Sequence, residues 1–248
     1  MLGFNLITSR AISMKTFLKS LPIIGTALTR VYHCWKGDTV GKLGSTLRGR
    51  KDLYVVQIGS NDGINGDPIH SLLQFNPSWK ALLVEPVPFL FERLRKNYSN
   101  NPNIQFANVA ITEQAEMATF YYVDPVARDH IPQLPFWFDQ LGSFDRGHIV
   151  RHFGGALERF TVSTQIPTLP LSTLLDRNNV TKINLLHIDT EGHDWIVLRQ
   201  LDLTRFHPDV ILFEHSHLSE DDKSKALAFL ERDYRITNLG SDFLCQST

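Results

Sequence analysis

The stretch Leu53-Tyr54-Val55-Val56-Gln57-Ile58-Gly59-Ser60-Asn61-Asp62-Gly63-Ile64-Asn65-Gly66 decides how this chain folds. Its first six residues form an unbroken β-favouring run, the pattern of a strand buried on both faces of a parallel sheet. A glycine-rich turn follows. Asp67-Pro68 then reads as N-cap and first helical residue of a helix over Pro68–Phe75. Gly59 and Gly63 let the backbone approach a ligand with no Cβ in the way. Their spacing, Gly-x-Asn-x-Gly, is not the Gly-x-Gly-x-x-Gly of dinucleotide-binding turns. The nearest string to a phosphate loop, Gly37-Asp38-Thr39-Val40-Gly41-Lys42-Leu43, has the wrong spacing and no hydroxyl after the lysine. A tight strand-to-helix turn that binds nothing is the competing reading.

Working outward, Ala81–Val84 is a second strand, and it ends in Glu85-Pro86. Ligands of open α/β sheets lie across the carboxyl ends of the strands, where an acid can accept hydrogen bonds from both ribose hydroxyls. A helix over Phe89–Tyr98 follows, then a third strand, Ile104–Ala107, running into Asn108-Val109. Ile183–Ile188 and Val210–Phe213 are further buried strands, followed by helices over Trp195–Leu201 and from Ser219-Glu220 to Leu230. Tyr234–Asn238 and Asp242–Gln246 suit a final antiparallel pair. Alternating strands and helices predict one doubly wound α/β sheet with helices on both faces. Residues 112–172 interrupt this rhythm. They include a further strand, Phe120–Val123, and mix aromatics with hydrogen-bonding side chains, as an acceptor pocket does; a lid packing its own small core is the plainer alternative.

The chain has 248 residues, 42% of them hydrophobic and 21% charged, with a formal net charge of −1. This is an ordinary globular composition with room for one large domain. Two cysteines, Cys34 and Cys245, are too few for a disulfide scaffold and fit a reducing, cytoplasmic compartment. No apolar run approaches the ~18–20 residues of a spanning helix. The charge is unevenly spread. Residues 1–51 hold nine Lys/Arg and one acid, net +8, whereas the remainder holds 16 bases and 25 acids, net −9. The acidic body argues against nucleic acid as a partner. Within the basic extension, residues 1–50, Phe17, Leu21, Ile24, Leu28, Val31 and Trp35 recur at helical steps. That stripe could pack on the main domain, residues 51–248, or lie peripherally on an anionic membrane.

Taken together, Val56-Gln57-Ile58-Gly59-Ser60-Asn61-Asp62-Gly63, Val84-Glu85-Pro86 and Asn108-Val109-Ala110-Ile111 resemble the nucleoside-binding motifs of S-adenosylmethionine-dependent methyltransferases. More narrowly, Ile188-Asp189-Thr190-Glu191-Gly192-His193-Asp194 resembles the signature of the FkbM-type methyltransferases. So do Leu141-Gly142-Ser143-Phe144-Asp145-Arg146 with a following His152, and Phe213-Glu214-His215. The resemblance spans about residues 53–245. It implies a single Rossmann-like class I sheet of seven strands in the order 3-2-1-4-5-7-6, with S-adenosyl-L-methionine as cofactor. Gly59, Ser60, Asn61, Asp62 and Gly63 would wrap its methionine part, Glu85-Pro86 would hold the ribose, and Asn108 and Val109 would border the adenine. Asp189 would stand beside the sulfonium. The implied acceptor is a small molecule or glycan: a hydroxyl oxygen of a sugar-like, lipid-linked or natural-product compound. His193 stands where the signature often carries an aromatic.

Methyl transfer to an alcohol needs an aligned oxygen and a base. Asp189, His193, Glu214 and His215 are the catalytic candidates. Ser143, Arg146 and His152 are the acceptor-binding candidates. Asp189, Glu191, Glu214, His215 and His217 could each ligate a metal, but no spacing is specific for zinc, and the expectation is no obligatory metal. Two competing functions are a non-catalytic nucleoside-binding or membrane-associated module on the same fold, and a Rossmann oxidoreductase, against which the missing dinucleotide fingerprint speaks.

Overall fold

The computed structural model describes residues 39–248. The expected helix over residues 17–35 and its basic flanks lie outside them. Residues 39–46 form helix α1. Its Leu43 and the following Leu47 are buried in the main core, and the Thr39 hydroxyl donates to Asp242 at 3.2 Å.

Seven strands form the main sheet. Five are parallel: β1 (Tyr54–Ile58), β2 (Lys80–Val84), β3 (Ile104–Ala107), β8 (Leu185–Ile188) and β9 (Val210–Glu214). Antiparallel β11 (Asp242–Ser247) pairs with β9, and β10 (Tyr234–Asn238) pairs with β11 at the edge. The spatial order is β10-β11-β9-β8-β1-β2-β3. Numbered within this sheet alone and read from the β3 edge, that is 3-2-1-4-5-7-6. Adjacent residues of one strand serve opposite faces, which is why these strands read as continuous apolar runs. Val56, Leu82, Leu186 and Ile211 face one core with α6 (Leu171–Arg177), α7 (Asp194–Leu198) and α8 (Glu220–Leu230). Val55, Ala81, Leu185 and Leu212 face the other, with α1, α2 (His70–Phe75) and part of α3 (Pro88–Asn97). No helix of the described residues is long and apolar enough to cross a membrane.

The registers matter for the site. Ile58 lies opposite both Val84 and Ile188, and Ile188 lies opposite Phe213. Gly59, Glu85, Asp189 and Glu214 therefore emerge side by side at one edge. Where a single sheet with one extra strand is expected, a second, four-stranded sheet exists, in the order β4-β7-β5-β6. It pairs β5 (Met117–Val123) with β7 (Thr161–Leu169), flanked by β4 (Ala110–Ile111) and β6 (Gly142–Ser143). Between β5 and β7 the chain makes α4 (Ala127–His130) and α5 (Arg146–Arg151) around a separate core that includes Val123, Phe138, Ile149 and Leu157. The insertion is a small α/β layer standing beside the strand-end edge. The helix expected from Pro68 starts at His70, and Asp67 Oδ1 accepts from Ile69 N (2.8 Å) and Gln57 Nε2 (2.9 Å) ahead of it.

Candidate active site

The glycine turn lies against the β8 turn with no room to spare. A Cβ on Gly59, whose φ is +83°, would fall 1.8 Å from the carbonyl oxygen of Asp189. Gly59 N and Ser60 N both donate to Val84 O at 3.0 Å, locking the turn onto β2. Asn61, at φ +48°, is one of the few residue types that tolerate the left-handed region. Its N–H then points at Glu85 Oε2, 2.8 Å away, while Val87 N donates to Glu85 Oε1 at 2.8 Å. Glu85 is only 3% exposed. Burial drives its carboxyl up to about 7, against the pull of these two N–H groups, with Asp189 and Asp62 adding repulsion.

Around Glu85 lies a cleft open to solvent. Its polar wall includes Gly59, Asn61, Glu85, Gln140 and Asp189, and its apolar wall includes Pro86, Val87, Val109, Ile111 and Phe120. An apolar slot with a few convergent polar groups is what a nucleoside-sized ligand requires. A narrower recess continues under the glycine turn, lined by Asn61, Gly66, Asp67, Gln140, His187 and Asp189. On the other side a cavity opens between Ser143, Asp145, His148, Glu191, His193 and His217. Phe144, Glu191 and His193 belong to the walls of both the cleft and this cavity.

The β8–α7 turn is held by Asp194, which is 1% exposed and accepts from Thr190 N (3.1 Å) and Gly192 N (3.2 Å). Burial pushes its carboxyl up to about 8, with Asp189 adding repulsion. His193 packs on the Phe144 ring (centroids 5.0 Å apart) and hydrogen-bonds the backbone of Ile111. Its buried Nε2 has no partner among the described residues. Burial pulls its imidazole below the ordinary histidine value.

The expected site residues separate into two groups. Gly59, Asn61, Glu85, Pro86, Val109, Asp189 and His193 line the cleft. The others build it. The Ser60 hydroxyl accepts from Val84 N (3.1 Å), and the Asp62 carboxylate holds Ile64 N and Asn65 N (2.9 Å each). Gly63 sits where a Cβ would strike Leu94 and Tyr98. The Asn108 amide donates to Glu85 O (2.7 Å) and Pro86 O (3.1 Å), fixing the turn that carries the acid. Among the acceptor candidates, Ser143 lines the outer cavity, whereas Arg146 pairs with Glu158 at 3.5 Å on the surface. His152 stands behind His148, bonding its carbonyl at 2.9 Å. His215 is turned away from the cleft. Its N–H donates to Ser241 O (2.8 Å) and its ring stacks on Phe243 at 3.9 Å. Glu214 lies outside the cleft lining, accepts from the Ser216 hydroxyl at 2.9 Å and stands 4.0 Å from His217. Sequence reasoning missed Gln140, although it directly precedes the Leu141–Arg146 motif. It also missed the meeting of His148, His217 and Glu191.

The methyltransferase FkbM domain matches residues 57–236 of this chain. No curated protein matches it. Among solved structures, fibrillarin in a fibrillarin/Nop5p complex is similar at 13% identity and a TM-score of 0.40, covering 81% of this chain and 77% of that one. The precorrin-6y C5,15-methyltransferase of Geobacter metallireducens GS-15 is similar at 12% identity and a TM-score of 0.40, covering 94% and 78%. MtNAS in complex with MTA and tNA is similar at 12% identity and a TM-score of 0.41, covering 94% and 68%.

Proposed function

Because this chain belongs to the FkbM methyltransferase domain family, we propose that it transfers a methyl group from S-adenosyl-L-methionine to a hydroxyl oxygen of a sugar-like, lipid-linked or natural-product acceptor. The observation that carries the reading is Glu85: buried, fixed by two backbone N–H groups and set in the wall of an apolar cleft beside Gly59 and Asp189. Each carboxylate oxygen keeps acceptor capacity beyond its one backbone bond, which suits a pair of ribose hydroxyls.

S-adenosyl-L-methionine supplies an electrophilic methyl carbon on a positively charged sulfur. The residues fit such a ligand. Pro86, Val87, Val109 and Phe120 offer apolar surface for the adenine. Gly59 and Asn61 bring backbone to the methionine part, and the recess under the turn continues in that direction. Asp189, common to the cleft and the recess, places a carboxylate where the positive charge would lie.

Of the four catalytic candidates, only Asp189 and His193 line the cleft, and only His193 also lines the outer cavity. Donation of one ring N–H to the Ile111 backbone leaves a lone pair on Nε2. Burial favours the neutral imidazole. His193 would therefore accept the proton of the acceptor hydroxyl as the oxygen–carbon bond forms and the carbon–sulfur electron pair leaves with sulfur.

The test is incubation of cell extracts with the full chain and S-adenosylmethionine bearing an isotopically labelled methyl group, followed by mass spectrometry. The expected result is one class of hydroxylated compound that gains the labelled methyl as an ether. Label found only on nitrogen, carbon or nucleic acid would overturn the O-methylation reading.

A further inference from the structure

Three histidines and a carboxylate meet at the outer cavity, drawn from three separate stretches of chain: His148, His217 and Glu191 stand in its wall, with His152 behind His148. His148 lies on α5, and His152 follows four residues later, one turn on. His217 comes from the turn after β9, and Glu191 from the β8–α7 turn. His148 Nε2 stands 3.1 Å from Glu191 Oε2, and His217 Nε2 stands 3.3 Å from the same oxygen. The ligating atoms of His148, His152 and His217 all lie within 4.8 Å of one another. Ring centroids are 4.9 Å apart for His148 and His152, and 4.9 Å for His148 and His217.

These spacings bring the donors within reach of one ion. Bonds of about 2.0–2.1 Å at tetrahedral angles put donor atoms about 3.3 Å apart. Two of the pairs, His148–Glu191 and His217–Glu191, sit at that distance, and the three histidine donors lie within 4.8 Å of one another. His152 Nδ1 is engaged by the His148 carbonyl at 2.9 Å, which orients the ring and leaves Nε2 for a ligand, the usual arrangement behind a metal-bound histidine. Glu191 is held at φ +53°, a costly backbone state for a glutamate. Strain of that kind persists where the side chain must be held in one place. Glu214, with Oε2 4.0 Å from His217, adds a second carboxylate to balance positive charge.

We propose that His148, His152, His217 and Glu191 bind a divalent transition cation of the imidazole-preferring kind, such as zinc or cobalt, at the edge of the acceptor cavity. Three nitrogen donors exclude magnesium as the preferred ion, since it demands oxygen. His148, Glu191 and His217 face the cavity, so a ligand entering there can complete the coordination shell. On the methyltransferase reading above, that ligand is the acceptor hydroxyl, whose proton the ion would make easier to remove. This role rests on that reading; the binding of the ion does not. The sequence hides the site because its donors come from three separate stretches of chain, which only the fold brings together.

The test uses the full, untagged chain, stripped with a chelator and titrated with cobalt(II). The expected result is one cobalt per chain, with visible absorption of a four- or five-coordinate ion, displaced by zinc and untouched by a hundredfold excess of magnesium. H148A and H217A should each weaken binding by at least about 100-fold, while H70A and H207A, remote from the cluster, should leave it unchanged. Absence of stoichiometric cobalt binding by the unaltered chain overturns the proposal, whatever the variants do. So does affinity that survives both H148A and H217A. S-adenosylmethionine binding measured on the same samples separates the two ideas. Nucleoside binding without cobalt binding removes the metal site and leaves the methyltransferase reading standing; the converse does the reverse.

Discussion

Replacing Glu85 with glutamine keeps the size of the side chain and removes its charge. In the folded chain the carboxylate accepts one backbone N–H at each oxygen, both at 2.8 Å. A bound ribose would add hydrogen bonds to a charged group, worth about 1.5–3 kcal/mol. Glu85→Gln should therefore weaken binding of S-adenosylhomocysteine by about 10- to 150-fold. A pH dependence follows from the same residue. Its carboxyl sits at about 7 when the cleft is empty, and hydroxyl donors favour the ionised form. Binding must then expel a proton below pH 7, so affinity of the unaltered chain should be about tenfold lower at pH 6 than at pH 8. The variant should lose this slope. Stability moves the other way. The folded pKa lies above the model-peptide value, so the folded state holds the extra proton, and this group's contribution to stability declines as pH rises from about 4.5 to about 7. The assay is calorimetric titration at both pH values, in buffers of different ionisation enthalpy to count the released proton, on protein whose circular dichroism matches the parent. An affinity in Glu85→Gln within twofold of the parent, with the same pH slope, would refute the reasoning.

Two other substitutions probe the site. Gly59→Ala puts a Cβ onto the Asp189 carbonyl in a left-handed backbone, and should cost more than about 1–3 kcal/mol, seen as a lowered midpoint in denaturant unfolding and loss of nucleoside binding. His193→Gln should lower kcat by about 10²–10⁴-fold while leaving S-adenosylhomocysteine affinity near the parent value. Because burial depresses the His193 pKa, the acid limb of the parent's rate, where the imidazole takes up a proton, should lie at lower pH than for an ordinary histidine; the variant should lack that acid limb.

The main sheet was legible because its strands are buried on both faces. Val55-Val56 and Leu82-Leu83 each send neighbouring side chains into opposite cores, so the sequence shows an apolar run with no alternation to mistake for a helix. The strand ends were legible for the same reason, since each run breaks off at Gly59, Glu85 or Asp189. The second sheet was not. β5 and β7 are partly exposed and pair across about 40 residues, and their alternation gives no sign of which strand completes the ladder. Within the glycine turn, residue type gave proximity but not direction. Asn61 and Asp62 are adjacent, yet one N–H binds Glu85 while the neighbouring carboxylate folds back on Ile64 and Asn65. His215 and His217 would share a face only in an extended chain, and the chain turns at residues 216–217.

The most direct measurement is a crystal structure of the full chain grown with saturating S-adenosylhomocysteine. The account predicts both ribose hydroxyls at about 2.5–3.0 Å from the Glu85 carboxylate, the adenine against Pro86 and Val109, and the sulfur beside Asp189 with His193 facing it. Density for the nucleoside anywhere else, or a Glu85 cleft closed by the protein's own side chains, would contradict it.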